Sequence, residues 1–503
     1  MHRAHHLRKC LEVKKRKESD KRIHRGFHLS SIVFWSSMAE IEKNPKKMTN
    51  MFERLDERDL HNILNELPMK DAIRAGFLSR KWRNQWKYLA NVVFKQSTGK
   101  EVESLTHFIS LHRGNKIKKF HVEFKYRPNK EDQVNEWMSF AIKKEVEDLK
   151  LDFDMKGDND PLYILPPFIF NCESLVSLSL KGCVLELPDS IYLPNLHTLS
   201  LTRMEIGSRN GRTIRKITSR APLLERMSLV NCSRFRNFNI DASESPNLKE
   251  LAIIETKVDL ARSTGMDICA PSVEKLVFLY ASPRREYHVK DVSNCLEFTF
   301  ALSDQPHEYL WKEVGEELLS LRYHVVLLNL LPHFQHVRVL RICNWCVQSL
   351  YKAEVYDKTR SRVSLSCTNL EINTSFQRWE LPGVTYMLKA CSAIEDLCFV
   401  MAPKQSQIPQ LFLKPDDFEE RIYWRNEAKS LVMAHLQNLK IMTFKLPGER
   451  YHSWKLWPLN LRTFFMGREN GVELLAALKH SSNNQLRVVL STDKQHRRFL
   501  IRQ

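Results

Sequence analysis

Apolar and polar positions fall into two regimes along the chain. From residue 117 onward the pattern apolar-x-x-apolar-x-apolar recurs as Ile117/Phe120/Val122, Val146/Leu149/Leu151, Leu175/Leu178/Leu180, Leu196/Leu199/Leu201, Leu224/Met227/Leu229, Leu248/Leu251/Ile253 and Val273/Leu276/Phe278. Their first positions are 29, 29, 21, 28, 24 and 25 residues apart. The two alternating positions read as a short strand with one buried face. A unit of this size buries that face only against its neighbours, so the expected fold is α/β, a curved stack of repeats with one parallel sheet on the concave side. Beyond about residue 280 the period breaks. Later copies stand at Val337/Leu340/Ile342, Ile394/Leu397/Phe399 and Leu436/Leu439/Ile441, and Leu310, Val314, Leu318 and Leu321 have the spacing of an inserted helix.

Residues 52–94 follow a helical period instead. Leu60, Ile63, Leu64 and Leu67 come after Asp56, Glu57 and Asp59, acids that suit a helix N-terminus. Pro68 closes that helix and can start the next, whose apolar face is Met69, Ile73 and Phe77. Ser79 is placed to cap a third, carrying Trp82 and Trp86 on one face. Some 40 residues of short helices bury little core by themselves, so a stabilising partner is expected.

The residues Leu55, Leu60-x-x-Ile63-Leu64-x-x-Leu67-Pro68-x-Lys70-Asp71-Ala72-x-Arg74 and Leu78-Ser79-Arg80-Lys81-Trp82-Arg83 with Trp86 resemble an F-box of the plant type. The resemblance implies a surface for a Skp-type adaptor made by Leu55, Leu64, Leu67, Pro68 and Ile73, with Trp82 internal. An F-box usually opens with Leu-Pro. Here Asp56 follows Leu55, and the acid at that rim predicts weakened docking. The repeat period is that of leucine-rich repeats. The stretch from Asn171 to Pro188, with Leu193-Pro-Asn-Leu-x-x-Leu199, is similar to the repeats of plant F-box/LRR proteins. Leu436-Gln-Asn-Leu-Lys-Ile441 and Gly467-Arg-Glu-Asn-Gly-x-Glu473-Leu-Leu-x-x-Leu478 look like the FBD module that often closes such chains. The expected organisation is a basic, disordered leader at 1–50, an F-box at 51–95, leucine-rich repeats at 105–430 and an FBD-like module at 431–492.

Charge changes the picture only at the N-terminus. Residues 1–50 hold 13 Lys/Arg against 5 Asp/Glu, residues 51–100 hold 10 against 6, and the other 403 hold 55 against 48. So mixed a surface gives no general nucleic-acid footprint. Lys14-Lys15-Arg16-Lys17 reads either as part of a solvated tail or as a nuclear import signal, and Met38, Met48 and Met51 leave open a start downstream of it. No apolar run approaches the roughly 20 residues of a membrane-spanning helix. Eleven cysteines without a secretory h-region point to reduced thiols in the nucleus or cytoplasm. Cys343-Asn-Trp-Cys346 lacks the second pair a zinc site wants, and Cys183 and Cys232 occupy repeat positions that turn inward.

The sequence contains no Walker A loop, no H-E-x-x-H and no G-x-S-x-G. No catalytic residue, metal site or cofactor is expected. The resemblance implies the substrate-recognition subunit of an SCF-type ubiquitin ligase, with a Skp-type adaptor, a cullin-RING ligase and a target protein as partners and no membrane or nucleic acid. The alternative is a non-catalytic LRR scaffold whose F-box is weakened.

Overall fold

The computed structural model describes residues 56–77, 80–96, 102–153, 162–206, 212–232, 237–255, 265–280, 286–302, 325–355, 363–374, 380–401, 431, 433–443, 487–492 and 495–500. The leader with its basic block at 14–17, Leu55, the Ser79 cap, the expected helix at 310–321 and the segment 467–478 lie outside these residues. The chain divides into two compact units, residues 1–124 with 136–146, and residues 125–135 with 147–503.

In the first unit, helices α1 (Glu57–Glu66) and α2 (Met69–Ala75) precede two parallel strands, Asn91–Lys95 and Lys119–Phe124, joined through a helix at Val102–Leu111. The strands alternate, so Val92, Phe94, Phe120, Val122 and Phe124 are buried. Trp137, from the helix Glu131–Lys143, packs against Phe94 and Phe124 and donates its indole N–H to Thr106 Oγ1 at 3.0 Å.

The second unit is the repeat array. Its strands Asp148–Phe153, Ser177–Lys181, Thr198–Thr202, Arg226–Val230, Glu250–Glu255, Lys275–Tyr280, Glu297–Leu302, Val339–Ile342, Asn369–Thr374, Asp396–Met401, Asn438–Thr443 and Arg487–Thr492 pair in sequence order, all parallel. Gln495–Leu500 then pairs antiparallel to the last of them. Register brings the motif positions into line, with Leu178 opposite Leu149 and Leu199, Leu276 opposite Leu251 and Phe298, and Leu397 opposite Leu370 and Leu439. Three of these strands escape the apolar count. One is Arg487–Thr492; the motifs of the other two are Cys295/Phe298/Phe300 and Cys367/Leu370/Ile372, with a cysteine at the first position, and both cysteines are fully buried. A buried free cysteine behaves as a small hydrophobe.

Two backbone devices and one side-chain device recur between neighbouring repeats. The carbonyl before a strand accepts two N–H groups from the following repeat: Val176 O takes those of His197 and Thr198, and Lys249 O those of Glu274 and Lys275. After the strand, Gly182, Arg203 and Asn231 take positive φ of 74°, 50° and 51° and donate to Thr202, Val230 and Ile254 carbonyls of the next strand. Only glycine adopts this conformation without steric cost. The amides of Asn195, Asn247 and Asn294 donate back to the Glu173, Pro222 and Pro271 carbonyls, each at 2.8 Å.

Candidate adaptor-docking and target-holding surfaces

Helix α1 starts at Asp56, whose Oδ1 accepts the Asp59 N–H at 2.7 Å. Asp56 is therefore an N-cap, with Glu57 and Asp59 adding negative charge where the helix dipole favours it. This gives the departure from Leu-Pro a local reason. Leu67 ends α1, its N–H returning to Leu64 O at 3.2 Å, and the Pro68 carbonyl opens α2 by accepting the Asp71 and Ala72 N–H groups.

The expected third helix is not an α-helix among the described residues. Arg80–Asn84 is a turn and Gln85–Tyr88 a 3-10 helix. Its hydrogen bonds span three residues, from Gln85 N to Trp82 O and Lys87 N to Asn84 O. The tighter winding separates the two tryptophans: Trp82 is fully buried, while Trp86 is half-buried against Phe108 with ring centroids 5.7 Å apart. Two polar clamps invisible to the periodicity hold this assembly. Asn65 Oδ1 accepts the Ala90 and Asn91 N–H groups at 2.8 and 3.2 Å, and His61 Nε2 meets Gln85 Oε1 at 2.9 Å.

The residues inferred for adaptor contact fall in different places. Leu64 and Leu67 are 0% and 4% exposed and pack inside the unit, Pro68 is exposed, and Ile73 is half-exposed. The most exposed large apolar side chain among the described residues is Phe77, 83% exposed and four residues beyond Ile73. The 73/77 spacing was the available signal. Its burial was not legible, because Met69, Ala72 and Ala75 fill the inner face of α2 in its place.

In the repeat unit the alternate strand positions are half-exposed and fall into three panels. Ser179, Ser200 and Ser228 sit side by side, with Thr202 nearby. Next come Val230, Ala252, Ile254, Val277, Leu279 and Ala301, an apolar panel across four adjacent strands. The third is charged: Arg341 bridges Glu297 at 3.0 Å and Glu371 at 3.6 Å, and the Asp396 carboxylate accepts the Asn369 and Asn438 amides at 2.8 and 2.6 Å.

Among the described residues no group of three or more His, Cys, Asp or Glu is placed to hold a metal, and no helix is long and apolar enough to cross a membrane. Burial raises the Cys183 thiol well above its ordinary range and pushes Cys232 up to about 12. Such thiols are protonated at neutral pH and poor nucleophiles. Cys343 and Cys346 are buried with their sulfurs 3.6 Å apart.

Comparison with known proteins gives two family matches. The F-box domain matches residues 52–93, and the LRR repeats of the FBD-associated F-box protein At5g56370 match residues 134–295. The chain is similar to three Arabidopsis thaliana proteins among others. It is 26% identical to the putative F-box protein At3g58960 over 50% of this chain and 54% of the relative. Identity is 29% to the putative FBD-associated F-box protein At5g56700, over 35% and 44%, and 25% to the F-box/LRR-repeat protein At5g02910, over 78% and 81%. The matches to the first two span about half the length of those relatives.

Proposed function

For a chain that carries an F-box and FBD-associated leucine-rich repeats and is related to plant F-box/LRR proteins, we propose the role of substrate-recognition subunit in an SCF-type ubiquitin ligase. The F-box docks a Skp-type adaptor and so a cullin-RING ligase, and the half-exposed face of the repeat sheet holds a target protein. The chain supplies no group to the transfer. Its contribution is proximity, since a target held beside a charged ubiquitin-conjugating enzyme presents its lysines at high effective concentration. The place of work is the nucleus, the cytoplasm or both.

The observation that carries this reading is Phe77, 83% exposed on the unit that matches the F-box. An aromatic side chain left this far in water, beside half-exposed Ile73 and exposed Pro68, suits a partner's apolar pocket. The test is co-purification of the full chain with a Skp-type adaptor, alongside Phe77→Asp. Retention by the parent and loss in the folded variant supports the proposal. No retention by the parent overturns it in favour of an LRR scaffold with a weakened F-box.

A further inference from the structure

Segments rich in cations come together at one loop of the first unit, His112–Lys119. The Lys87 carbonyl accepts the Arg113 and Gly114 N–H groups at 2.8 and 3.3 Å, and the Ala90 carbonyl those of Lys118 and Lys119 at 2.8 and 3.2 Å. The Lys144 ammonium donates to Gly114 O at 2.6 Å, and the Ile117 N–H to Lys144 O at 2.9 Å. These bonds draw together the segments that carry Lys87, Arg113, Lys118, Lys119 and Lys144, with Lys143 next to Lys144 in the chain. Arg113, Lys118, Lys119 and Lys143 are exposed and the other two half-exposed.

None of the six has a carboxylate partner among the described residues. The Lys144 head is spent on a carbonyl, and Lys87 lies 5.6 Å from the Trp86 ring. The acid of the same turn is Glu145, exposed at φ 52°. Like charges on adjoining segments repel, and the repulsion is relieved when an anion docks.

We propose that this loop is a docking surface for an acidic segment of a protein partner. A polynucleotide would need a basic track to follow, yet residues 101–503 are nearly balanced at 55 Lys/Arg against 48 Asp/Glu. Trp86 packs on Phe108 at 5.7 Å and Tyr88, though 46% exposed, lies against His61 at 6.4 Å, which is not the run of open rings that stacks successive bases. A compact positive spot suits a short acidic peptide. The inference rests on the F-box reading only in taking this unit to be one that assembles with proteins.

The test uses the full chain and a fluorescein-labelled peptide of alternating Glu and Ser, with a charge-matched oligothymidine beside it, read by anisotropy at low and high salt. Lys118→Glu/Lys119→Glu should weaken peptide binding about tenfold or more, while Lys150→Glu/Lys290→Glu, cations of the repeat unit, should change it less than about twofold. Equal loss in both variants, or none in either, overturns the proposal. Tighter binding of the oligothymidine, lost in the same variant, assigns the surface to nucleic acid instead and overturns it too. Adaptor co-purification is run on the same preparations: peptide binding that persists where the parent fails to hold the adaptor sustains this surface while removing the F-box reading.

Discussion

His112 Nε2 donates to the Leu89 carbonyl at 2.9 Å, with its ring buried between Phe108 and Phe140. A carbonyl only accepts, so the neutral ring carries its proton on Nε2 and leaves Nδ1 bare in a site without a partner among the described residues. Burial holds its pKa below the usual 6.5 despite the Leu89 hydrogen bond, and the nearby Lys144 charge adds to the depression.

The sign of the pH effect follows. The unfolded chain takes up a proton near 6.5 and the folded chain only below that, so the contribution is full above 6.5 and is lost as pH falls through the lowered folded value. The unfolding free energy from urea titrations should fall between pH 7.5 and 5, by at most about 1.4 kcal/mol per pH unit from this group. His112→Leu should flatten that part of the slope. An identical pH profile in the variant would remove His112 as its source.

Gly383 lies against the Val347 carbonyl so closely that a Cβ would overlap it. Helices Asn344–Val355 and Leu381–Ala390 approach each other through this point, and all of the second except Lys389 is buried. Gly383→Ala should cost about 3 kcal/mol or more, because the obstruction is backbone and cannot swing aside. Thermal melts of the two proteins measure it.

Glu145 sits at the end of the helix Glu131–Lys143 with φ 52°, a position glycine usually takes. Glu145→Gly should raise stability by about 0.5–1 kcal/mol, the left-handed strain relieved less the entropy glycine gives the unfolded chain. Glu145→Ala keeps the strain and should bring no such gain in Tm.

Substitutions in the F-box unit should separate fold from docking. Phe77→Asp meets water, at 83% exposure, and should leave Tm within about 1 °C of the parent. Leu64→Asp buries a charge at 0% exposure and should unfold the unit at a cost of several kcal/mol. Circular dichroism of both variants reads the difference.

Thiols with a strongly raised pKa should resist alkylation. Cys232, Cys295 and Cys398 are each pushed up to about 12, mainly by burial. Native protein treated with iodoacetamide at pH 8 should leave these three unmodified, and urea should expose them, as peptide mass spectrometry would record.

Seven regular motifs between residues 117 and 278 could be read directly because Leu, Ile, Val, Met and Phe fill the same three positions, and every one of those side chains is buried. Cys295 and Cys367 hid two further strands, since cysteine reads as chemistry before it reads as core. The third F-box helix was misjudged for the opposite reason. Trp82 and Trp86 have helical spacing, but the chain tightens into a 3-10 turn that buries one ring fully and leaves the other half-buried.

The repeat period, most strand positions and the resemblance to F-box/LRR proteins were legible in the chain, because each follows from local pattern and from residues a few positions apart. The inward facing of Leu64 and Leu67 and the exposure of Phe77 came from the packing of elements distant in the sequence. The folded structure also shows that Asp56 serves as a cap and that Lys144 reaches the loop that carries Arg113, Lys118 and Lys119. The physical reason is that a helical pattern marks which side chains are apolar, whereas their burial and the meeting of distant charges depend on which other elements fold against them.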